Sequence, residues 1–568
     1  MHWEYNTYDE SQVKEKAQRH NLSTEVVKLL LSRNIVSNTE ITKFLSANVK
    51  DLEDPFDFER MDEVVEKIIK ARDDNSKVFI FGDYDVDGIT ASVYLTIVFN
   101  LIGIETSYYI PNRMDEGYGL SRQAIDYANE RNGKVIITVD TGINSIGDFE
   151  YAKSLGIDVI ITDHHKIIKD KKEELLVINP KLSKKYKFKY LSGAGVAFKV
   201  ACAVYKKINF DTKHLYEHLD IVMIGTIADV MPLNDENRII VKNGLVALKD
   251  TKIKGLRSLL KYLKLSPKDI STTDISFFIS PLLNSLGRIG KSRTGADFFL
   301  EGSEEQLYSI IEDMKISNNK RRIFERKIFN EINEQIENLE NKDNLKYLFL
   351  KSEDWHPGVI GVVASRLSVR YNIPVILISL QNNLGKASCR SVAGINIFDI
   401  LNNISDKLVR FGGHDLAAGF IVEKSHLKIV EEKIAKGINE SVKKSNKDII
   451  KIDYNYPLEM VDENFIGELA KVAPYGSANP YPLFVDKGLK FSRVKKFGVE
   501  EKHFKTFIEK NGKLYSAVGF NLAHKIDDNK FEHQTFEIAY YPEKICYNNN
   551  KIIQIKIKDV KVINTPSV

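Results

Sequence analysis

The segment that most constrains this chain is an apolar run that ends in three acids. Residues 78–82, Val-Phe-Ile-Phe-Gly, have the composition of a buried parallel strand, and Asp83, Asp85 and Asp87 follow at alternate positions. Carboxylates this close repel one another unless a cation neutralises them. The loop beyond the carboxyl end of a strand is also where open α/β sheets bind ligands. The segment therefore predicts a divalent-metal site at the edge of a parallel sheet.

Three further segments supply side chains that can bind a metal. The apolar residues 134–139 lead into Asp140, and residues 157–162 lead into the triplet Asp-His-His at 163–165. A helical pattern then ends at Asp229. Carboxylate oxygens with a minority of imidazoles suit Mn²⁺ or Mg²⁺ better than Zn²⁺. The set predicts a two-metal hydrolase.

Each of these motifs taken alone also has an ordinary structural explanation. Asp140, which Thr-Gly follows, could cap a helix or form a turn, and the two adjacent histidines could be surface residues. No single structural requirement explains all four motifs together, so a metal site is the favoured interpretation. A nucleophilic Ser or Cys is the competing chemistry, but neither Cys202 nor Cys546 has a neighbouring base in the sequence.

The metal-competent motifs resemble those of the DHH phosphoesterase superfamily, which is named for the triplet found here at residues 163–165. Within that superfamily, further segments are similar to the RecJ family of single-strand-specific 5′-to-3′ DNA exonucleases. These segments lie at residues 109–120, 191–199, 355–361, 385–391, 412–420 and 474–480. The resemblance therefore extends over nearly the whole chain.

The resemblance implies a set of metal ligands and two catalytic residues. The implied ligands of two Mn²⁺ or Mg²⁺ ions, with Asp140 as the bridge, are Asp85, Asp87, Asp140, His164 and Asp229. His165 would face the scissile phosphate, and Asp83 is the second implied catalytic residue. The family carries a His where this chain has Phe81. Asp83 or water could take the place of that missing His ligand.

The resemblance also implies a set of substrate contacts. They are Arg113, Tyr118, Asn284, Arg288, Ser388, Arg390, Ser391 and His414. Guanidinium groups pair with phosphate oxygens, and a tyrosine can stack on a base, although solvated arginines and a loop-capping tyrosine are the ordinary alternatives. Cys389 departs from the family's Ser-Gly-Arg-Ser pattern, and its side chain could crowd a phosphate that approaches the backbone.

The order of strand and helix patterns predicts an α/β protein of several domains. In chain order we expect an N-terminal helical segment (1–60), a doubly wound parallel-sheet DHH catalytic domain (61–302), a long connecting helix (303–342), a second α/β domain that resembles DHHA1 (343–450), and an OB-like β-barrel for nucleic acid (451–568). Basic residues at 320–326 in the connecting helix could line a groove for DNA or form a solvated face. Alternating basic and aromatic residues in the last domain could bind single strands or simply mark half-buried strands.

Composition agrees with this interpretation but is less specific. A chain of 568 residues that is 43% hydrophobic can bury several cores, and a net charge of +4 permits nucleic-acid binding without requiring it. The three cysteines include no CxxC pair, which argues against a disulfide scaffold or a zinc knuckle. Because no apolar run is long enough to span a bilayer, we expect a soluble cytoplasmic protein that does not contact membranes.

The function that the resemblance implies is degradation of single-stranded DNA from a free 5′ end to mononucleotides, in recombination and repair. It also implies a monomer, with a RecQ-type helicase and a single-strand-binding protein as partners. Two alternatives remain open. One is a phosphodiesterase for cyclic dinucleotides or short oligoribonucleotides, and the other is a non-catalytic scaffold in DNA replication.

Overall fold

The structure is a computed structural model of the 568-residue chain. It describes residues 2–112, 119–143, 148–167, 175–288, 290–338, 345–441, 449–527, 531–547 and 550–563. The chain forms two compact units. The barrel unit comprises Met1–Asn48, Pro232–Asn234 and Lys447–Val568, and the sheet unit comprises Val49–Met231 and Asp235–Asn446.

The described residues contain the following strands and helices. The strands are β1 (His2–Tyr5), β2 (Lys77–Gly82), β3 (Thr106–Tyr109), β4 (Gly133–Val139), β5 (Asp158–Thr162), β6 (Leu176–Ile178), β7 (Leu348–Ser352), β8 (Val375–Gln381), β9 (Leu384–Arg390), β10 (Arg410–His414), β11 (Ala417–Glu423), β12 (Ile449–Ile452), β13 (Tyr454–Asn455), β14 (Phe484–Phe497), β15 (His503–Lys510), β16 (Lys513–Gly519), β17 (Thr535–Tyr547) and β18 (Asn550–Ile563). The helices are α1 (Glu10–His20), α2 (Thr24–Ser32), α3 (Asn38–Ser46), α4 (Met61–Asp73), α5 (Val86–Asn100), α6 (Arg122–Asn129), α7 (Phe149–Ser154), α8 (Gly193–Lys207), α9 (Lys213–Glu217), α10 (Leu219–Ala228), α11 (Asp235–Leu248), α12 (Lys254–Tyr262), α13 (Thr272–Asp274), α14 (Ser280–Arg288), α15 (Ser292–Leu300), α16 (Glu304–Glu337), α17 (Ile360–Tyr371), α18 (Ile397–Asn402), α19 (Leu427–Ser441) and α20 (Glu463–Val472).

The first sheet of the sheet unit is parallel throughout and has the strand order β3-β2-β4-β5-β6. In chain order this is the 2-1-3-4-5 arrangement of a doubly wound fold, which confirms the predicted parallel sheet. The strand order reverses between β2 and β4, and ligands bind at such a switch point because the flanking loops diverge there. The acid loop after β2 and the motif after β4 both lie at this position.

Helix α5 begins at the acid loop and is buried on nearly every side. It packs against β2, α8 and α10, so that it lies under other elements rather than at the surface. This explains its continuous apolar sequence. Among the described residues, no helix is both long and apolar enough to cross a membrane.

The second sheet of the sheet unit has the order β10-β11-β9-β8-β7 and confirms the predicted second α/β domain. Only the β7–β8 pair is parallel. Alternate residues of β8 face two different layers: Ile376 and Ile378 pack among apolar residues of α18 and α19, whereas Val375 and Leu377 pack among those of α16 and α17.

Helix α16 is a single helix of 34 residues, which confirms the predicted long helix. Ser303 caps it by accepting a hydrogen bond from the backbone N–H of Gln306 (3.4 Å). One residue of its basic segment has a structural contact, because the Arg321 guanidinium donates to Oε2 of Glu325 (2.9 Å). Glu325 also accepts from Arg366 of α17 (2.7 Å), so this part of the segment joins two helices.

The barrel unit contains a closed β-barrel, as predicted. Strands β14, β15, β16, β18 and β17 pair in that order, and β17 pairs back with β14. Phe491, Phe504 and Phe536 are buried in its core, so most of the alternating aromatics are half-buried strand positions. The N-terminal strand β1 pairs in parallel with β12, and Trp3 donates to Oδ2 of Asp559 (2.8 Å).

Candidate metal centre

The acid loop after β2 turns sharply into α5. Asp85 is the N-cap of that helix, and its Oδ1 accepts hydrogen bonds from the backbone N–H groups of Asp87 (3.0 Å) and Gly88 (3.2 Å). A Cβ at Gly88 would lie 2.5 Å from the backbone nitrogen of Asp83, so only glycine fits this turn. Asp83 and Asp87 are buried. With Asp85 between them, this turn holds three acids close together.

Asp87 is held by the N-terminus of a second helix. The backbone N–H of Gly193 donates to Oδ2 of Asp87 (2.6 Å), and that of Ala194 donates to Oδ1 (3.0 Å). The first N–H groups of a helix have no partner within the helix, and the helix dipole favours a negative charge there. Helix α8 therefore fixes both oxygens of this carboxylate.

Asp140 ends strand β4 in an unusual backbone conformation. Its φ is +60°, in the left-handed region that residues other than glycine seldom adopt. The side chain is buried, and Oδ1 lies 3.1 Å from Nε2 of His164, which follows the neighbouring strand β5. Strain of this kind is typical of functional sites.

The two histidines of the triplet have different surroundings. Nε2 of His164 faces Asp140 and also lies 3.5 Å from Oδ2 of Asp229. Nδ1 of His165 lies 2.7 Å from Oδ1 of Asp163. Asp163 is itself fixed by the backbone N–H groups of Ile143, His164 and His165, at 3.1, 2.7 and 3.0 Å. Asp163 was not predicted as a metal, catalytic or substrate residue. Its contacts orient His165.

These surroundings give the two rings different protonation states. Burial and the charge of His165 hold the pKa of His164 well below its usual range, so this ring is neutral, as a metal ligand must be. Burial alone would lower the pKa of His165, but the charge of Asp163 and its hydrogen bond raise that pKa to about 9. At neutral pH the site thus pairs a neutral imidazole with an imidazolium.

The acids fit a divalent cation. Asp140 Oδ1 and Asp229 Oδ2 are buried and have no hydrogen-bond partner among the described residues. Burial and repulsion by neighbouring acids raise the pKa of Asp140 and of Asp229 well above the usual range, and that of Asp87 to about 7. A positive charge between these groups removes that cost.

Among the described residues, three groups of side chains have ligand atoms within 4.8 Å of one another. They are Asp140 with His164 and His165, Asp87 with His164 and Asp229, and Asp83 with Asp85 and Asp140. The structure thus brings together all the predicted metal and catalytic residues. Asp140 belongs to two groups of different composition, which is compatible with a bridging ligand.

Those predicted substrate residues that the structure describes lie on helix α14 and in the second sheet. Asn284 and Arg288 are one turn apart on α14, and Arg288 donates to the carbonyl oxygen of Gly358 (3.0 Å). A Cβ at the neighbouring Gly287 would lie 2.6 Å from the carbonyl oxygen of Tyr84, so the end of α14 touches the acid loop. Arg113 and Tyr118 lie outside the described residues.

The remaining predicted contacts belong to the second sheet. Arg390 donates to Oγ of Ser365 (2.8 Å) and lies in hydrogen-bond contact with Oγ of Ser388 (3.3 Å). Ser391 donates to the carbonyl oxygen of Ile395 (2.7 Å), so its hydroxyl stabilises the turn after β9. Cys389 is fully buried and faces the core on the opposite side of the sheet from Ser388 and Arg390.

His414 is the residue of the second sheet that reaches the metal centre. Its ring stacks on that of His165, with the centroids 5.1 Å apart and the planes 20° apart. Next to it, Asp415 accepts a short hydrogen bond from Lys166, which follows the two histidines of the triplet. The two sheets of the sheet unit therefore meet beside the site.

Comparison with known proteins identifies three segments of the chain. Residues 77–226 match the DHH family, N-terminal domain, residues 344–444 the DHHA1 domain, and residues 452–559 the RecJ OB domain. A single-stranded-DNA-specific exonuclease RecJ of Bacillus subtilis is 31% identical over 99% of this chain and 71% of its own length. The RecJ of Salmonella typhimurium is 30% identical over 88% of this chain and 90% of its own length. The chain belongs to the RecJ family.

Solved structures show the same fold. A RecJ from Thermus thermophilus in complex with Mn²⁺ is 22% identical, covers 99% of this chain and 80% of its own, and superposes with a TM-score of 0.83. An exonuclease RecJ bound to manganese is 28% identical over 67% of this chain and 95% of its own, with a TM-score of 0.57. The RecJ architecture thus extends through both units.

Besides Asp163, two further residues of this RecJ-family site were not found from the sequence. Both follow the short strand β6: Asn179 donates to the carbonyl oxygen of His165 (3.1 Å), and Lys181 donates to that of His164 (2.5 Å). These two hydrogen bonds fix the backbone of both histidines. The signal was available, because Asn179 and Lys181 come just after an apolar strand end, but three residues are too few to mark a strand with certainty.

Proposed function

We propose that this protein hydrolyses single-stranded DNA from a free 5′ end, releasing mononucleotides, with divalent metal bound at the switch point of the first sheet. The convergence of Asp87, Asp140, His164 and Asp229 carries the proposal, because Oδ1 of Asp140 and Oδ2 of Asp229 are buried without a hydrogen-bond partner among the described residues and lie beside a neutral imidazole, an arrangement that suits a cation. Membership of the RecJ family supports the substrate, since the relatives at 30–31% identity are named single-stranded-DNA-specific exonucleases.

We propose that the centre binds two ions of Mn²⁺ or Mg²⁺. The RecJ of Thermus thermophilus has been solved in complex with each of these metals. The proposed ligands are Asp85, Asp87, Asp140, His164 and Asp229, and Asp83 or water takes the place of the His that the family carries at the position of Phe81. When bound at this centre, the ions supply Lewis-acid polarisation of a phosphodiester and a more acidic water. The helix N-cap contacts of Asp85 and the α8 contacts of Asp87 hold these carboxylates in place before a metal enters.

The proposed role of His165 follows from its charge. Its Nδ1 is held by Asp163, so the Nε2–H of the imidazolium becomes the donor to a phosphate oxygen. His414 stacks on this ring and limits how it can turn. Asp163 acts through His165 and is therefore a positioning residue.

The proposed path of the DNA strand crosses the second sheet, where small residues leave space. His414 pairs with Ala417, and Ala417 pairs with Arg390, so these three form one row on one face of the sheet. Gly412, Gly419 and Ser388 form the neighbouring row in the same way. His414 and Arg390 are thus two strand spacings, about 10 Å, apart with only small side chains between them.

We propose phosphate and base contacts to this strand from the predicted residues. These are Arg113, Tyr118, Asn284, Arg288, Ser388, Arg390, Ser391 and His414. We further propose that the protein acts in the cytoplasm as a monomer with a RecQ-type helicase and a single-strand-binding protein, in recombination and repair. The proposed domains keep the predicted bounds 1–60, 61–302, 303–342, 343–450 and 451–568.

The test is digestion of a long single strand that carries a label at either the 5′ or the 3′ end. Mn²⁺, Mg²⁺ or chelator is added to wild type, to Asp140→Ala and to a control, Asp158→Ala, which removes an exposed acid at the opposite end of β5. We expect early release of 5′-labelled mononucleotide that requires metal and Asp140, and an unaffected control. Early release of the 3′ label would overturn the polarity, hydrolysis of dinucleotides alone would indicate a small-nucleotide phosphodiesterase, and DNA binding without hydrolysis would indicate a scaffold.

A further inference from the structure

The N-terminal turn of α8 contacts two proposed ligands that come from different strands. Its backbone N–H groups at Gly193 and Ala194 hold Asp87, as described above. A Cβ at Gly193 would also lie 2.4 Å from Cβ and 2.7 Å from Oδ1 of Asp140. One helical turn therefore sets the position of one carboxylate through hydrogen bonds and that of another through close packing.

A second helix carries a third proposed ligand and approaches the same turn. Asp229 follows the last residue of α10, and its backbone N–H donates to the carbonyl oxygen of Gly225 (3.0 Å). A Cβ at Gly225 would lie 2.6 Å from Oδ1 of Asp87. Any shift of α10 along α8 therefore moves Asp229 relative to Asp87.

Two buried hydroxyls connect these helices. Oγ of Ser192, the N-cap of α8, lies 3.2 Å from Oγ1 of Thr226 in α10, and both residues are fully buried. Thr226 Oγ1 also lies 2.9 Å from the carbonyl oxygen of Val222, and Ser192 also makes a side-chain hydrogen bond to Asp87, so either hydroxyl can be the donor between the two helices. Ser192 Oγ also accepts from the backbone N–H of Gly195 (3.1 Å), which fixes the orientation of the serine.

We infer that Ser192 and Thr226 are positioning residues that set the metal affinity of the centre. Their hydrogen bond fixes α10 against α8, and thereby fixes Asp229 against Asp87 and Asp140. Neither hydroxyl belongs to the proposed ligand groups. Outer partners that orient metal ligands typically change affinity by about 10–100-fold when removed, and removing one neutral hydrogen bond between helices should give the lower figure. The inference rests on the proposed function, because it assumes that these acids bind a divalent metal.

The deciding variant is Thr226→Val, which removes the hydroxyl and keeps the shape of the side chain. Binding of Mn²⁺ to the full chain without DNA is measured by electron paramagnetic resonance of the free ion. We expect affinity to fall about tenfold, in line with the effect of removing an outer partner of a metal ligand. Thr226→Ser keeps the hydroxyl and should bind Mn²⁺ nearly as wild type does. An equal loss in Thr226→Ser would mean that packing by the methyl group matters, and would overturn the inference.

The matched control is Thr96→Val in α5. Thr96 is buried and also donates to the carbonyl oxygen of the residue four positions earlier, Ser92 (2.8 Å), but it contacts none of the proposed ligands. Its loss should lower stability to a similar degree without changing Mn²⁺ affinity. A similar loss of affinity in Thr96→Val would show that general destabilisation explains the effect, and would also overturn the inference.

A double-mutant cycle tests the bond itself. Ser192→Ala and Thr226→Val should each weaken Mn²⁺ binding, and the loss in the double variant should be smaller than the sum of the two single losses, because both changes remove one shared interaction. Fully additive losses would contradict the proposed bond. If wild type itself binds no Mn²⁺, the proposed function fails; if wild type binds and Thr226→Val binds equally well, only the present inference fails.

Discussion

The two sheets of the sheet unit present functional residues in different ways. In the parallel first sheet every carboxyl end lies at one edge, so acids and histidines from distant parts of the sequence meet at the switch point. In the second, mostly antiparallel sheet, the strand ends alternate, and Ser388, Arg390 and His414 instead share one face. In the first sheet, backbone N–H groups and closely packed glycines fix the acids at the switch point, whereas in the second sheet side-chain hydrogen bonds hold Arg390. We call the carboxyl ends of β2, β4 and β5, with the proposed ligands, the metal edge, and the face that carries Ser388, Arg390 and His414 the substrate face. We therefore expect the metal edge to tolerate almost no change and the substrate face to tolerate more.

The largest effect should come from adding one methyl group to the metal edge. Gly193→Ala would place a Cβ 2.4 Å from that of Asp140, whose short side chain has no room to move. We expect Mn²⁺ binding to be lost and kcat/KM on single-stranded DNA to fall by at least about 100-fold, as Mn²⁺ titration and end-label assays would measure. Gly302→Ala is the control, since the nearest atom to its Cβ is Nζ of a flexible lysine at 3.7 Å. Wild-type Mn²⁺ affinity in Gly193→Ala would show that the edge is more plastic than the geometry indicates.

A larger substitution on the second sheet should have a smaller and different effect. A Cβ at Gly412 would meet nothing within 4 Å, so Gly412→Leu can fold, but it fills the space between the two rows of substrate residues. We expect KM for single-stranded DNA to rise about tenfold with Mn²⁺ affinity unchanged, because the metal centre is built by the other sheet. Gly412→Ala should show a fraction of this change. If Gly412→Leu weakened Mn²⁺ binding instead, the two sheets would not divide the tasks as proposed.

The stacked rings of His165 and His414 offer a comparison of the two sheets at one contact. In metal-free protein the pKa of His165 is about 9, whereas burial and the charge of His165 lower that of His414 to about 3. His165 is thus protonated until the pH rises through about 9, and His414 is neutral until the pH falls through about 3. Asp163→Asn should lower the pKa of His165, and His165→Gln should raise that of His414, as titration of the ring protons by NMR would show. An unchanged pKa of His165 in Asp163→Asn would contradict the assigned cause.

The sequence predicted the metal edge better than the supports behind it. Strands β2, β4 and β5 are apolar runs that end in chemically informative side chains, so a rule about strand ends was sufficient to find Asp140 and His164. The donors to Asp87 are backbone N–H groups, which have no side-chain signature, and the contact between Ser192 and Thr226 depends on how two helices pack. The substrate face could be expected only from resemblance, because antiparallel pairing sets which residues share a row.

The pairing of β1 with β12 shows the same limit over a longer range. Each of these strands has four residues, and they are separated by most of the chain. A strand of this length carries too little periodic signal to specify its partner. The fold class could be predicted because it depends on local periodicity and on the order of elements, whereas such pairings depend on contacts between segments that the sequence does not mark.

The smallest effect should come from the exposed ion pair that joins the two sheets. Lys166 and Asp415 are 40% and 52% exposed, and exposed pairs of this kind contribute at most about 1 kcal/mol because solvent screens them. A double-mutant cycle of Lys166→Ala and Asp415→Ala is measured as the free energy of unfolding at low and at high salt. The coupling free energy between the two residues should be below about 1 kcal/mol, and high salt should reduce it further. The half-buried stack of His165 on His414 would then be the stronger contact between the sheets. A coupling above about 2 kcal/mol that persists in salt would mean that charge holds the substrate face against the metal edge, and the two sheets would then have to be treated as one site.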